Sequence, residues 1–243
     1  MGLLKNFYEK LWTRSMERSH TCDLCNREVF SYPNPRLCNR CLVKLPKNNG
    51  NYCDKCGRPT KTEGVCFQCK GDLPNFTKAC APFVYFGEGA LMINAFKNGK
   101  RYLSFYLAEE MFDVFNRLGA FEETPFLIPV PLTKRKRRER GYNQAEDLAK
   151  QLSVLSGFPM KTDLMEKVRQ DAQQKHLTAK ERKEQVVGAF HLLDRKFCKD
   201  KLFIVVDDIL TTGATCGEMA RLLLGAGAKA VFVCTACALP ERG

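Results

Sequence analysis

"VVDDILTTGAT" occupies residues 205–215. Two apolar β-branched residues run into adjacent carboxylates, Asp207 and Asp208. A short stretch of small and hydroxyl-bearing residues with one glycine follows. Upstream, "LFIVV" (202–206) is an uninterrupted apolar run, the pattern of a strand buried on both faces. Downstream, 215–225 has helical periodicity, so the segment reads as strand, acidic pair, loop, helix. Ionised carboxylates only accept hydrogen bonds. The loop offers backbone N–H groups and hydroxyls at a helix N-terminus, an arrangement suited to a phosphate. A ligand carrying hydroxyl donors beside a phosphate satisfies both halves, and ribose 5-phosphate is such a ligand.

Two other nucleotide signatures are excluded. An apolar strand ending in acids also occurs in P-loop NTPases, but those require G-x-x-x-x-G-K-[ST], which the chain lacks. "GAGAKA" (225–230) lacks the third glycine of a dinucleotide fingerprint and follows a helix rather than a strand. It reads as a helix C-cap and turn.

Outward from the motif, residues 79–243 alternate short apolar runs with helical periodicity. Strands are expected at 81–86, 125–130, weakly near 161–165, at 188–192, 202–206 and 230–236. Helices are expected at 88–98, 103–118, 142–156, 178–186 and 215–225. In 142–156, one face carries Tyr142, Ala145, Leu148, Ala149, Leu152 and Leu155. This alternation predicts an α/β fold with a parallel sheet flanked by helices, whose ligands bind at the carboxyl ends of the strands.

The 243 residues carry a formal net charge of +12. Residues 1–78 hold 14 basic and 7 acidic side chains, and residues 79–243 hold 25 and 20. One run, "KRKRRER" (134–140), has 6 basic residues and 1 acid, which accounts for the whole excess of the larger segment. The positive charge is local, and the run is a candidate anion site. Guanidinium groups match phosphate oxygens by bidentate geometry, so Lys134, Arg137, Arg138 and Arg140 are the expected contacts. Pyrophosphate or a sugar pyrophosphate, a single-stranded DNA backbone, and solvent alone are three readings of this loop-like run.

The N-terminal stretch "MGLLKNFYEKLWTRSMERSH" (1–20) is broken by Lys5, Glu9 and Lys10 and does not read as a signal peptide. Leu3, Leu4, Phe7, Tyr8, Leu11 and Trp12 form one helical stripe, expected to dock on the protein body. The expected location is cytoplasmic and reducing, with no membrane span. There, thirteen cysteines point to metal rather than disulfides.

Eight of them form four Cys-x-x-Cys pairs: Cys22/Cys25, Cys38/Cys41, Cys53/Cys56 and Cys66/Cys69. "CDLCNR" (22–27) recurs as "CDKCGR" (53–58), each followed by a second pair. Two tandem zinc ribbons are expected over 21–78, with sites Cys22/Cys25/Cys38/Cys41 and Cys53/Cys56/Cys66/Cys69. Cross-braced pairing fits the same spacing. Closed four-thiolate sites leave no open coordination position, so both zincs are read as structural. So little apolar sequence lies between the knuckles that metal must supply folding energy. Phe30, Tyr32, Tyr52 and Phe67 either pad the ribbons or stack on bases. Cys80, Cys198, Cys216, Cys234 and Cys237 read as small core residues. Cys234 and Cys237 are three apart on a strand and face opposite sides, so they do not share a metal. His20, His176 and His191 form no catalytic set.

The opening stretch resembles the phosphoribosyl pyrophosphate (PRPP) motif of type I phosphoribosyltransferases. The resemblance implies that Asp207 and Asp208 bind the ribose hydroxyls and offset charge developing at the sugar. It implies that Thr211, Thr212, Gly213, Ala214 and Thr215 wrap the 5′-phosphate, and that Mg²⁺ accompanies PRPP. The stretches "PVPLTKRKRRERGYNQAEDLA" (129–149) and "QQKHLTAKERKEQVVGAF" (173–190), with the four cysteine pairs, extend the likeness to the ComF family across nearly the whole chain. That family joins a double zinc ribbon to a phosphoribosyltransferase-like domain (here 79–243) and is linked to DNA uptake. The resemblance implies either transfer of a phosphoribosyl group to an unidentified acceptor, or a non-catalytic nucleotide sensor or scaffold. Its implied partners are single-stranded DNA and a helicase-like uptake protein. Ala172 and Gln185 depart from the Thr and Asn often found there, both within the segment matching the family's hood loop.

Overall fold

The computed structural model describes residues 21–29, 36–169, 181 and 185–241. The expected N-terminal helix at 1–20 and most of the helix at 178–186 lie outside the described residues, as do Phe30, Tyr32, Ala172 and His176. The chain divides into two compact units, Met1–Lys44 and Leu45–Gly243.

The first unit holds one cysteine tetrad. Thr21 and Glu28 bridge in antiparallel fashion around the first knuckle, and helix α1 (Asn39–Val43) follows Cys38. Asn26 takes a left-handed conformation, φ 56°, which closes the turn after Cys25.

In the larger unit, the second tetrad surrounds helix α2 (Phe67–Gly71). The main sheet contains β1 (Lys78–Cys80), β2 (Phe83–Val84), β3 (Phe126–Pro129), β6 (Leu202–Leu210) and β7 (Ala230–Ala238). Its order is β1-β7-β6-β3, with β2 also on β7, and each pairing is parallel. Among the described residues, helices α3 (Gly87–Lys97), α4 (Leu103–Asp113), α5 (Lys134–Arg140), α6 (Gln144–Ser156) and α7 (Ala214–Leu224) accompany the sheet. Phe203 and Val205 of β6 share a buried cluster with Met219 and Leu223 of α7. The alternate residues Ile204 and Val206 are equally buried on the other face. A sheet covered on both faces requires continuous apolar strands, which explains the run at 202–206.

Several expectations change. The strand expected at 202–206 continues through both acids to Leu210, because β7 is equally long and pairs Ile209 with Cys237 and Leu210 with Ala238. The strand expected near 161–165 is β4 (Met165–Lys167). It pairs antiparallel with β5 (Phe190–Leu192) in a separate two-stranded sheet. Just before β4, Met160 bridges Leu127 of the parallel sheet, and Met165, Phe190 and Leu192 pack into the same buried cluster as Phe203 and Val205. The basic run is a helix rather than a loop. The Thr133 hydroxyl accepts the Lys136 N–H at its start, and Gly141 ends it in the left-handed region, φ 79°. Leu155 is 41% exposed and lies off the buried face of α6. Cysteines 80, 198, 216, 234 and 237 are all buried, and Cys234 sits opposite Cys80 in the β1–β7 register.

Candidate functional site

A cleft of about 200 Å³ opens over the carboxyl ends of β3 and β6. Its lining includes Asp207, Asp208, Lys97, Lys136, Arg140, Lys167, Gln144 and Thr215. The acids come from β6, and Lys97 from the last turn of α3. Lys136 and Arg140 come from α5, Gln144 from the start of α6, and Lys167 from β4.

The two acids are held differently. Asp208, 8% exposed, is paired through Oδ2 with Lys97 Nζ at 3.0 Å. Asp207 accepts the Asp208 backbone N–H on Oδ1 at 2.8 Å. Burial and the neighbouring Asp208 charge push the Asp207 carboxyl up to about 7, against the opposing pull of that N–H, Lys97 and Lys167. Both acids line the cleft.

Lys97 reaches Asp208 because the end of α3 is tied down. The Tyr142 hydroxyl donates to the Phe96 carbonyl and accepts the Gly99 N–H at 3.0 Å. Arg101 makes a bidentate pair with Asp147 at 2.8 Å on each arm. The corner between β3 and α6 is equally fixed. Asn143 caps α6 by accepting the Ala145 N–H, while its Nδ2 donates to the Val130 carbonyl at 3.0 Å.

Gln144 is 2% exposed. Its Oε1 accepts from Arg140 Nη1 at 2.6 Å. Its Nε2 is buried with no hydrogen-bond partner, though it lies in the cleft wall. An unmatched buried donor costs stability unless something supplies an acceptor.

Of the four cations expected from the basic run, Arg140 lines the cleft. Arg137 is engaged by Glu146 in a bidentate ion pair. Lys134, Arg137 and Arg138 lie on α5 outside the lining, and Lys136 lies within it.

The loop after β6 forms the far wall. Gly213 is left-handed, φ 79°, and caps α7. Thr212 Oγ1 accepts the Ala214 N–H at 3.3 Å. The first N–H groups of the eleven-residue α7 lack intrahelical acceptors. Of the five loop residues expected at a phosphate, Thr215 lines the cleft.

The cysteines gather as two sequential sets, Cys22/Cys25/Cys38/Cys41 and Cys53/Cys56/Cys66/Cys69, each with its four Sγ atoms within 4.8 Å of one another. The knuckle N–H groups aim at sulfur: Cys38 N donates to Cys22 Sγ at 3.3 Å, and Cys66 N to Cys53 Sγ at 3.3 Å. This donor set and spacing fit a structural zinc in each site. Tyr52 lies beneath the Arg117 guanidinium, 4.6 Å from the ring centroid, whereas Phe67 is 75% exposed. His191 pairs with Glu166 at 3.4 Å on the exposed side of β4 and β5.

Two family models match the chain. The double zinc ribbon domain matches residues 18–70, and the phosphoribosyl transferase domain matches residues 138–243. Competence protein ComFC of Bacillus subtilis is 28% identical over 222 residues, covering 82% of each chain. Competence protein F of Haemophilus influenzae is 27% identical, covering 87% of each. The DNA utilization protein YhgH of Escherichia coli K12 is 27% identical, covering 84% of this chain and 97% of that one. Over most of its length this chain is similar to these competence and DNA utilization proteins.

Among solved structures, the glutamine PRPP amidotransferase of B. subtilis complexed with ADP and GMP aligns at a TM-score of 0.37 and 18% identity. It covers 56% of this chain and 26% of that one. Besides Lys136, which neighbours the cations expected from the basic run, three cleft residues were not singled out in the sequence: Lys97, Gln144 and Lys167. Each is remote from the acidic motif along the chain, and no local pattern marks them. Gln144 stands within the quoted "RGYNQ" stretch, but its missing partner is visible only in three dimensions. Among the described residues, no helix is long and apolar enough to cross a membrane.

Proposed function

We propose that the protein binds PRPP with Mg²⁺ in this cleft and serves DNA uptake. One observation carries the reading: Asp207 and Asp208, near the carboxyl end of β6, line one cleft together with Lys97, Lys136, Arg140 and Lys167. Sugar hydroxyls suit the first surface and a pyrophosphate suits the second. Gln144 Nε2 offers a further donor to phosphate oxygens. Mg²⁺ takes oxygen ligands and would be held largely by the ligand's own pyrophosphate and sugar oxygens, beside Asp207 and Asp208. The positions of Thr211, Thr212, Gly213, Ala214 and Thr215 support a 5′-phosphate seat at the start of α7. The proposed role in DNA uptake rests on relatives named for competence and DNA utilization.

Calorimetry with PRPP and Mg²⁺ tests this directly. Wild type should bind, and Asp207→Asn with Asp208→Asn should lose binding. A wild type that ignores PRPP ends the proposal.

A second activity is proposed for helix α5, none of whose residues is buried. Its basic side chains present a stripe to the phosphates of single-stranded DNA, and affinity should then fall steeply with salt. A salt slope that charge reversal at Lys134 and Arg138 leaves unchanged removes α5 from DNA binding.

A further inference from the structure

The second cysteine tetrad and the loop after β6 are joined by one side chain. Arg58 lies two residues beyond Cys56 and is 4% exposed. Its Nε donates to Cys56 Sγ at 3.1 Å. Its Nη2 donates to the Thr211 carbonyl at 2.9 Å, 153 residues away in sequence. A guanidinium buried to this degree must be matched by acceptors. Both acceptors matter here: one is a sulfur of the tetrad, the other the first carbonyl of the "TTGAT" loop.

The planar guanidinium is a rigid fork, so the two acceptors are held at a fixed separation. The peptide that follows Thr211 is planar as well, with its C=O and N–H antiparallel. Holding the Thr211 carbonyl toward Arg58 therefore directs the Thr212 N–H away from the knuckle. Thr212 in turn sets the next turn, because its hydroxyl accepts the Ala214 N–H at the start of α7.

The knuckle end of this strut is itself fixed. Gly57 is left-handed, φ 66°, and a Cβ there would stand 2.4 Å from the Ala79 carbonyl oxygen, so backbone packs directly on β1. Ala79 N donates to the Lys55 carbonyl at 2.9 Å, and Asn48 Nδ2 donates to the Gly57 carbonyl at 2.8 Å. The loop is braced from the same side by the segment before β1. Asn75 Nδ2 donates to the Gly217 carbonyl at 3.3 Å, and the Phe76 ring lies against Gly213.

We propose that Arg58 is a positioning residue that couples metal occupancy of the Cys53/Cys56/Cys66/Cys69 tetrad to the geometry of the phosphate loop. The second zinc ribbon is then a working part of the ligand site. Metal orders the knuckle, the knuckle orients Arg58, and Arg58 fixes the Thr211–Thr212 peptide. The coupling itself is independent of the ligand; its consequence for affinity rests on the PRPP reading above. Since linkage is reciprocal, a ligand that settles the loop also tightens metal retention.

Two measurements on the full-length protein decide it. The first is amide hydrogen exchange without ligand, comparing zinc-loaded wild type with Cys69→Ser and Arg58→Lys. Exchange at 211–216 should rise about tenfold or more in both variants, the equivalent of one lost charge-assisted hydrogen bond. Residues 202–206 should stay protected and serve as the control for folding. Loop protection equal to wild type in either variant overturns the proposal, as does an equal rise in strand and loop in Arg58→Lys.

The second uses cobalt in place of zinc. Adding PRPP with Mg²⁺ should shift the thiolate-to-cobalt absorption of wild type and leave that of Arg58→Lys unmoved, a signature that a merely structural arginine does not produce. An unshifted wild-type band with PRPP demonstrably bound also overturns the proposal. If wild type does not bind PRPP, the ligand reading fails and the exchange experiment still decides the coupling.

Discussion

Replacing Lys97 by Met tests how the acidic pair is tolerated. Asp207 keeps its proton to about pH 7 in the native protein, whereas an unfolded chain releases it near 3.9. The native state thus binds more protons between these values. The contribution of this group to stability falls as pH rises from about 4 to about 7, by at most roughly 1.4 kcal/mol per pH unit. Lys97, paired with the neighbouring Asp208 at 3.0 Å, limits that loss. At this distance the gross attraction to Asp208 is about 5 kcal/mol for an effective dielectric of ~20. The lysine side chain is 26% exposed and that of Asp208 11%, so solvent screens the attraction and the net cost of removal is smaller, about 2 kcal/mol with both acids ionised. At pH 5 a neutral Asp207 no longer repels Asp208, and the cost should drop to about 1 kcal/mol. Methionine retains the apolar stem, so packing changes little. Urea unfolding of wild type and Lys97→Met at pH 5, 6, 7 and 8 reads the difference. A penalty that widens with pH is expected. A penalty equal at pH 5 and pH 8, or none at any pH, would refute this account of the pair.

Other substitutions probe separate links. Gly57→Ala meets both a left-handed backbone and the Ala79 carbonyl, and should destabilise the larger unit by about 2–3 kcal/mol in denaturant unfolding. Gln144→Met removes a buried donor that lacks an acceptor. It should cost about 1 kcal/mol or less in stability while weakening PRPP binding about tenfold in calorimetry, a charged hydrogen bond's worth. Arg137→Ala, which frees Glu146, should affect PRPP affinity far less than Arg140→Ala, measured the same way. Metal analysis should find two zinc equivalents per chain, with one lost in Cys22→Ser and one in Cys53→Ser.

Much of the architecture was legible because it depends on local pattern. Cys-x-x-Cys spacing dictates knuckles wherever they lie, and the duplicated "CDLCNR" and "CDKCGR" segments pointed to two tandem sites, while the choice of sequential over cross-braced pairing came from the structure. A parallel sheet followed from continuous apolar strands alternating with amphipathic segments. Boundaries were harder, since β6 outlasts its apolar run. Hydrogen bonds from β7 keep Asp207 and Asp208 in strand conformation, and no residue within 202–210 announces that. The basic run looked like a loop because its composition offers no apolar face; Thr133 and Gly141, the residues bounding it, make it a helix.

The sequence by itself determined the two acids, the small-residue loop after them, the metal ligands and the order of the elements. Each is a property of neighbours along the chain, where chemistry and spacing are written together. The tertiary structure decided which cations face the acids: Lys97, Lys136, Arg140 and Lys167 rather than the most basic stretch as a whole. It also decided that Arg58 spans from a cysteine knuckle to a loop 153 residues away. Such choices rest on packing between distant segments, where a single buried group must find its partners, and no local pattern encodes them.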